Sequence, residues 1–166
     1  MEKSKKLYNE WLTRATEDPD LQAELTAVAQ DDNEIYERFY KELEFGTAGL
    51  RGVIGAGTNR MNVYTVRKAT QGLADYLNKK YENPAVAIAY DSRIKSDVFA
   101  KAAAENLAAN GVRAYIYPQL EPVPILSFAV RELKCQAGIR HEASLIYFNV
   151  VKHLMLIIID SFEKGK

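Results

Sequence analysis

Two regimes of hydrophobic spacing divide the chain. Over residues 1–44, apolar positions recur at helical intervals. Leu7, Trp11 and Leu12 share one face of a segment running to about Thr16, and Asp18-Pro19 breaks it. Residues 20–29 and 34–41 read as two further short helices. Beyond residue 44, helical and strand-like stretches alternate. Strand character begins near residues 51–54. Asn62 is a good N-cap for a helix over residues 63–81, with Val66, Ala69, Leu73 and Leu77 on one face. Asn83-Pro84 ends that unit. Residues 85–90 are a short, continuous apolar run, the pattern of a strand buried on both faces.

Ser96 is placed to cap an alanine-rich helix over residues 97–110, and Gly111 fits its C′ position. Residues 112–117 read as the next strand. Pro122 and Pro124 fix a turn before a helix at about residues 125–134, and residues 136–139 form a short strand. Strands alternating with helices predict a layered α/β domain with a mixed, largely parallel sheet. An acidic helical arm over residues 1–44 precedes it, and a divergent tail over residues 145–166 follows the domain at 45–144. Ligands of such sheets sit at the carboxyl ends of the strands. The turns at 91–93 and 140–144 lie there, as loops do in any α/β domain.

Composition sharpens this picture in three places. Apolar residues make up 48% of the 166, which is enough for a core and argues against disorder. The formal net charge is zero, so nothing suggests a nucleic-acid partner. The charge is uneven, however: residues 1–44 hold 6 Lys/Arg against 12 Asp/Glu, and the remainder holds 16 against 10. The basic part has the right sign for an anionic ligand. A lone cysteine, Cys135, excludes an internal disulfide and reads as a buried structural thiol. The N-terminus leads into an amphipathic helix and not a signal-peptide apolar region. The longest apolar run, residues 154–159, is too short to span a bilayer. No membrane partner is expected, and a cytoplasmic location is.

The candidate chemistry is concentrated at residues 44–60, Glu-Phe-Gly-Thr-Ala-Gly-Leu-Arg-Gly-Val-Ile-Gly-Ala-Gly-Thr-Asn-Arg. Glycine allows positive φ and close approach of the backbone to a ligand. Successive backbone N–H groups in such turns form anion-binding concavities, and arginine presents a planar fork matched to phosphate oxygens. The stretch reads either as a loop gripping a phosphorylated molecule or as a glycine-rich turn with solvated arginines. It is not a Walker A loop, for it lacks the Gly-Lys-Ser/Thr ending. Nor is it a dinucleotide fingerprint, since Arg60 stands where the third glycine would be. His141 and His153 have no cysteine or carboxylate at metal-ligand spacing and read as non-ligands.

The wording Phe45-Gly46-Thr47-Ala48-Gly49-Leu50-Arg51-Gly52 closely resembles the first signature of the α-D-phosphohexomutases, the phosphoglucomutase and phosphomannomutase superfamily. Ala89-Tyr90-Asp91-Ser92-Arg93 resembles the family's strand ending in a Tyr-Asp-Ser-Arg turn. Gly111-Val112 and Pro122-Val123-Pro124 fall at its next strand and turn, and Cys135-Gln136-Ala137-Gly138-Ile139 resembles the strand leading into its catalytic loop. The likeness covers about residues 5–139 and implies an α/β/α domain I. Family members transfer a phosphoryl group between C1 and C6 of a hexose phosphate through a phosphoserine. Positioning and charge neutralisation supply the catalysis.

Counting from Gly138-Ile139, the resemblance places the phosphoserine at Ser144, preceded by the matching Ala143. It implies Arg51 as stabiliser of phosphoryl charge, with Thr47 and Gly49 shaping its loop. Arg93 has two readings, a phosphate-binding role or a structural ion pair. Mg²⁺, touching Ser144 through its phosphoryl oxygen only, and glucose 1,6-bisphosphate as activator are implied likewise. The sequence departs from the family after residue 139. Glu142 replaces the threonine, Leu145-Ile146-Tyr147 replaces His-Asn-Pro, and Leu154 stands at the general acid/base lysine. The tail reads as a divergent end, a truncation or a reading-frame shift. Two functions follow: the serine-bearing domain of a hexose phosphate mutase, inactive by itself, or a non-catalytic α/β module that binds sugar phosphate or a partner. Missing domains or self-association through the apolar tail would then complete it.

Overall fold

The computed structural model describes residues 1–46, 49–142 and 145–150. Three short helices open the chain: α1 (Glu2–Arg14), α2 (Pro19–Ala27) and α3 (Asp32–Phe39). Asp18 and Asp31 cap α2 and α3, Asp18 accepting Asp20 N–H and Asp31 accepting Asn33 N–H and Glu34 N–H. α1 begins at Glu2, ahead of Leu7 on the predicted face, and ends at Arg14. Tyr8, Leu21, Leu25, Ile35 and Phe39 form the small core of this arm, with Trp11 packed against it edge-on to Phe39.

The domain is a three-layer α/β/α sandwich. Its elements are β1 (Phe45–Gly46), β2 (Gly49–Arg51), α4 (Val63–Lys80), β3 (Ala85–Tyr90), α5 (Ser96–Ala109), β4 (Arg113–Ile116), α6 (Val123–Glu132), β5 (Ala137–Glu142) and β6 (Leu145–Val150). Sheet order is β1-β2-β6-β5-β3-β4. β3 pairs in parallel with β4 and β5, and the sheet continues antiparallel through β6, β2 and β1. The strand expected near residues 51–54 ends at Arg51; Ile54 makes only a bridge to Met61. The segment expected to open the tail forms β6, between β5 and β2. Residues 151–166 lie outside the described part.

β3 shows why both faces are covered. Val86 and Ile88 join the core beneath α4 and α5, while Ala85, Ala87 and Ala89 face Leu126, Ala129 and Val130 of α6. Methyl-sized residues on the second face let α6 sit close. Val66, Ala69, Leu73 and Leu77 are buried on α4, as the spacing predicted. Asn62 caps that helix through Tyr64 N–H and Thr65 N–H, and Thr65 Oγ1 accepts from Asn62 N–H. α5 ends in a Schellman motif: Gly111 N–H donates to Ala108 O and Val112 N–H to Leu107 O, with Gly111 at φ 74°. Its start differs from expectation. Lys95 occupies the N-cap, and the Ser96 hydroxyl donates instead to Asp91 Oδ1 at 2.9 Å.

The glycine-rich stretch divides into two structural parts. Phe45–Gly46 and Gly49–Arg51 pair as β1 and β2, whereas Gly52 to Arg60 dock the arm. The Ala56 methyl lies in the arm's core. A Cβ on Gly57, at φ 130°, would stand 2.6 Å from Arg38 O, while one on Gly111 would meet open space. Gly57→Ala is therefore expected to cost more stability than Gly111→Ala. Backbone strain alone is roughly 1–2 kcal/mol at either position, and the clash adds to it only at Gly57. Denaturant unfolding of the two variants checks this order.

Candidate functional site

The sheet register sets the described candidate residues along one row-end of the sheet. Leu50 of β2, Ile146 of β6, His141 of β5 and Tyr90 of β3 form one row across four strands. One residue further on, Arg51 stands opposite Leu145, and Leu145 opposite Glu142. Asp91, next after Tyr90, donates its N–H to His141 O at 3.3 Å. Arg51 and the Asp91–Arg93 turn thus flank the β5–β6 connection, about 14 Å apart at strand spacing. Leu50 turns into the core under α4 and α5, so Arg51 faces the opposite side of the sheet, and it is exposed. Gly49 holds φ 95°, a conformation suited to glycine, opposite Gly46. Thr47 and Ser144 fall outside the described residues, although Leu145 directly follows Ser144.

Arg93 lies in a turn organised by Asp91. Asp91 Oδ1 accepts from Arg93 N–H at 3.1 Å and from the Ser96 hydroxyl, and Oδ2 pairs with Arg93 Nε at 3.3 Å. The Asp91 carboxylate is 17% exposed and the Arg93 side chain 55%. The structural ion pair considered for Arg93 is therefore present, and it leaves the guanidinium at the surface. Asp91 was not singled out from sequence. Its signal was there: an aspartate two residues before the arginine is the spacing of an Asx-turn.

The arm reaches the same region. Glu24 Oε2 accepts from Ala56 N–H at 2.8 Å, Glu24 Oε1 pairs with Arg38 Nη1 at 2.6 Å, and Arg38 Nη1 also donates to Ala56 O. Asn62 Nδ2 donates to Gly55 O and Gly57 O. These bonds fix the strand-to-helix segment that follows Arg51. A second link joins Lys95 Nζ to Asp18 Oδ2 at 3.1 Å and Asp20 Oδ2 at 3.0 Å. Burial pulls the Lys95 pKa down, but Asp20 and Asp18 outweigh it and raise the net value. Burial also raises the thiol of Cys135, against the opposing effect of Arg113, in keeping with a structural role.

Among the described residues, no group of three His, Cys, Asp or Glu side chains stands together as a metal site. Ser144, through which the resemblance has Mg²⁺ contacted, lies outside those residues. His141 is buried, and neither ring nitrogen has a partner among the described residues. Desolvation lowers its pKa to about 3. That lies below the ordinary value near 6.5 in the unfolded chain. Its contribution is thus present above pH 6.5 and lost as pH falls from 6.5 toward 3. Wild type should lose about 2 kcal/mol more than His141→Leu between pH 7 and 5. Parallel urea titrations check this; equal losses would mean that His141 protonates freely in the fold.

Comparisons with known proteins identify the family. The family model described as phosphoglucomutase/phosphomannomutase, alpha/beta/alpha domain I, matches residues 42–145. A phosphoglucomutase of Staphylococcus aureus (strain MRSA252) is 44% identical over 115 residues, covering 69% of this chain and 21% of the relative. One from Staphylococcus haemolyticus (strain JCSC1435) is 43% identical over 106 residues, covering 64% of this chain and 19% of the relative. A solved Thermus thermophilus protein assigned as a phosphomannomutase superposes with a TM-score of 0.63 at 26% identity, over 73% of this chain and 30% of that one. The chain spans about a fifth of the length of the curated relatives it matches.

Proposed function

The chain belongs to the phosphoglucomutase/phosphomannomutase family, carrying its α/β/α domain I, and from that premise we propose that it is the phosphate-gripping, serine-bearing domain of a hexose phosphate mutase. The observation that carries this reading is the juxtaposition of Arg51 with Leu145, the residue after Ser144, beside the Asp91–Arg93 turn. The reaction is intramolecular phosphoryl transfer between C1 and C6 of an aldohexose phosphate, most directly glucose 1-phosphate to glucose 6-phosphate. Ser144 carries the phosphoryl group. Arg51 neutralises charge on its oxygens from one side, Arg93 assists from the other, and Thr47 and Gly49 shape the hairpin turn. In the family resemblance, Mg²⁺ supplies further charge neutralisation when bound. Glucose 1,6-bisphosphate serves as activator. A cytoplasmic location suits this substrate class; among the described residues, no helix is long and apolar enough to cross a membrane.

Two measurements test the proposal. A charge-assisted hydrogen bond contributes roughly 1.5–3 kcal/mol. Arg51→Ala should therefore weaken glucose 1-phosphate binding by about one to two decades in calorimetry. Equal binding by wild type and variant would remove Arg51 from the site.

The 166-residue chain by itself is expected to show no mutase turnover, and Ser144 to remain unphosphorylated by intact mass. Transfer requires the far end of the sugar to be held while the near end reacts. Leu154, at the position of the general acid/base lysine, has no proton to give. A coupled assay with glucose 1-phosphate, Mg²⁺ and glucose 1,6-bisphosphate decides it. Turnover abolished by Ser144→Ala would restore a complete catalytic apparatus to this chain.

A further inference from the structure

Lys95 adopts φ 61° and ψ 8°, the left-handed conformation, at the N-cap of α5. For a residue with a Cβ this conformation is unfavourable, and it persists only where the surroundings hold it. Lys95 makes no side-chain cap to its own helix. Its side chain, only 21% exposed, runs instead to the arm 77 residues away. There it meets Asp18, itself 15% exposed and fixed as the N-cap of α2 by accepting Asp20 N–H. The N-cap of one helix is thus ion-paired with the N-cap of another. On its other side Lys95 adjoins a closed set of bonds. Ser96 N–H donates to Arg93 O at 3.1 Å, the Ser96 hydroxyl to Asp91 Oδ1, and Arg93 N–H to the same oxygen.

We propose that Lys95 is a positioning residue, through which Asp18 and Asp20 of the acidic arm hold the Asp91–Arg93 turn and thereby the Arg93 guanidinium. The consequence for ligand binding rests on the reading of that turn as part of the sugar phosphate site. The arm acts on the site without touching the ligand. Its charge neutralises Lys95 and fixes a strained backbone two residues from the arginine. A plain staple between arm and domain would also use this ion pair, but would leave the turn unchanged when cut.

The test uses the whole chain in two forms that cut the tether differently. Asp18→Asn with Asp20→Asn removes the charge while asparagine still caps α2. Lys95→Met keeps the apolar stem and loses the cation, and Lys95→Arg is the conservative control. Backbone hydrogen exchange at Arg93 and Ser96 should accelerate about fivefold in the first two, the scale of a good ion pair, with Lys95→Arg near wild type. The affinity for glucose 1-phosphate should fall by a similar factor. Unchanged exchange at Arg93 and Ser96, with faster exchange only in α1 and α2, would overturn the proposal and leave a staple. If the turn loosens but Arg93→Ala binds glucose 1-phosphate as wild type does, the site reading of Arg93 fails while the tether stands.

Discussion

The contact on which the rest of the structure depends is the seat of Ala56 in the arm. Its methyl fills the core made by Tyr8, Leu21, Leu25, Ile35 and Phe39, while its N–H and C=O are taken by Glu24 and Arg38. A backbone segment entering a foreign core must bring its polar groups with partners, or lose roughly 1–3 kcal/mol for each group left unsatisfied. The carboxylate of Glu24 meets this need and, with Arg38, cancels its own charge. Arg38 is 11% exposed and holds Glu34 as well, through Nε at 3.1 Å, so one largely buried guanidinium ties α2 and α3 to the Ala56 carbonyl. The glycines on either side are required by this approach, since Arg38 lies against Gly57 and Glu24 against Gly55. Arm and domain are thereby one packed unit.

From that seat the chain runs directly into the functional region in both directions. Upstream lies β2 with Arg51. Downstream lies Asn62, whose amide holds the carbonyls of Gly55 and Gly57 while its oxygen caps α4. The parallel strands β4, β3 and β5 present their carboxyl ends on one side. The antiparallel β5–β6 hairpin then returns the chain beside β2. This return sets Arg51 opposite the residue after Ser144. Ligand sites of α/β sheets lie at the carboxyl ends of strands for the same geometric reason.

Features unfavourable in isolation gather at this end of the sheet. His141 is buried without a partner among the described residues, and Lys95 is left-handed. Each costs free energy that the surrounding packing offsets, a pattern associated with sites held in a fixed geometry. The ion pairs of Lys95 and Arg38 both originate from the arm. The acidic excess of residues 1–44 thus has specific tasks at the interface as well as a solvated face.

The helices, the buried strand at residues 85–90, the Asn62 cap and the Gly111 terminus were legible in the sequence because they are local. Each follows from spacing along one element or from a residue type with one strong conformational preference. The family wording at residues 45–52 and 89–93 was legible too, and it marked Arg51 and Arg93. What the sequence could not assign was which half of the glycine-rich stretch pairs in the sheet and which half docks the arm. That depended on Arg38 and Glu24, which lie 18 and 32 positions from Ala56 along the chain. The cap of α5 was misread for a related reason. Ser96 has the right chemistry for a cap, but Asp91 claims its hydroxyl, and Lys95 is drawn to Asp18 from 77 positions away. Residues 145–150 are strand formers by type, but their insertion between β5 and β2 is a matter of long-range register that no local pattern carries. Local physics determined the elements, whereas long-range charge pairing and strand register decided which of their residues meet.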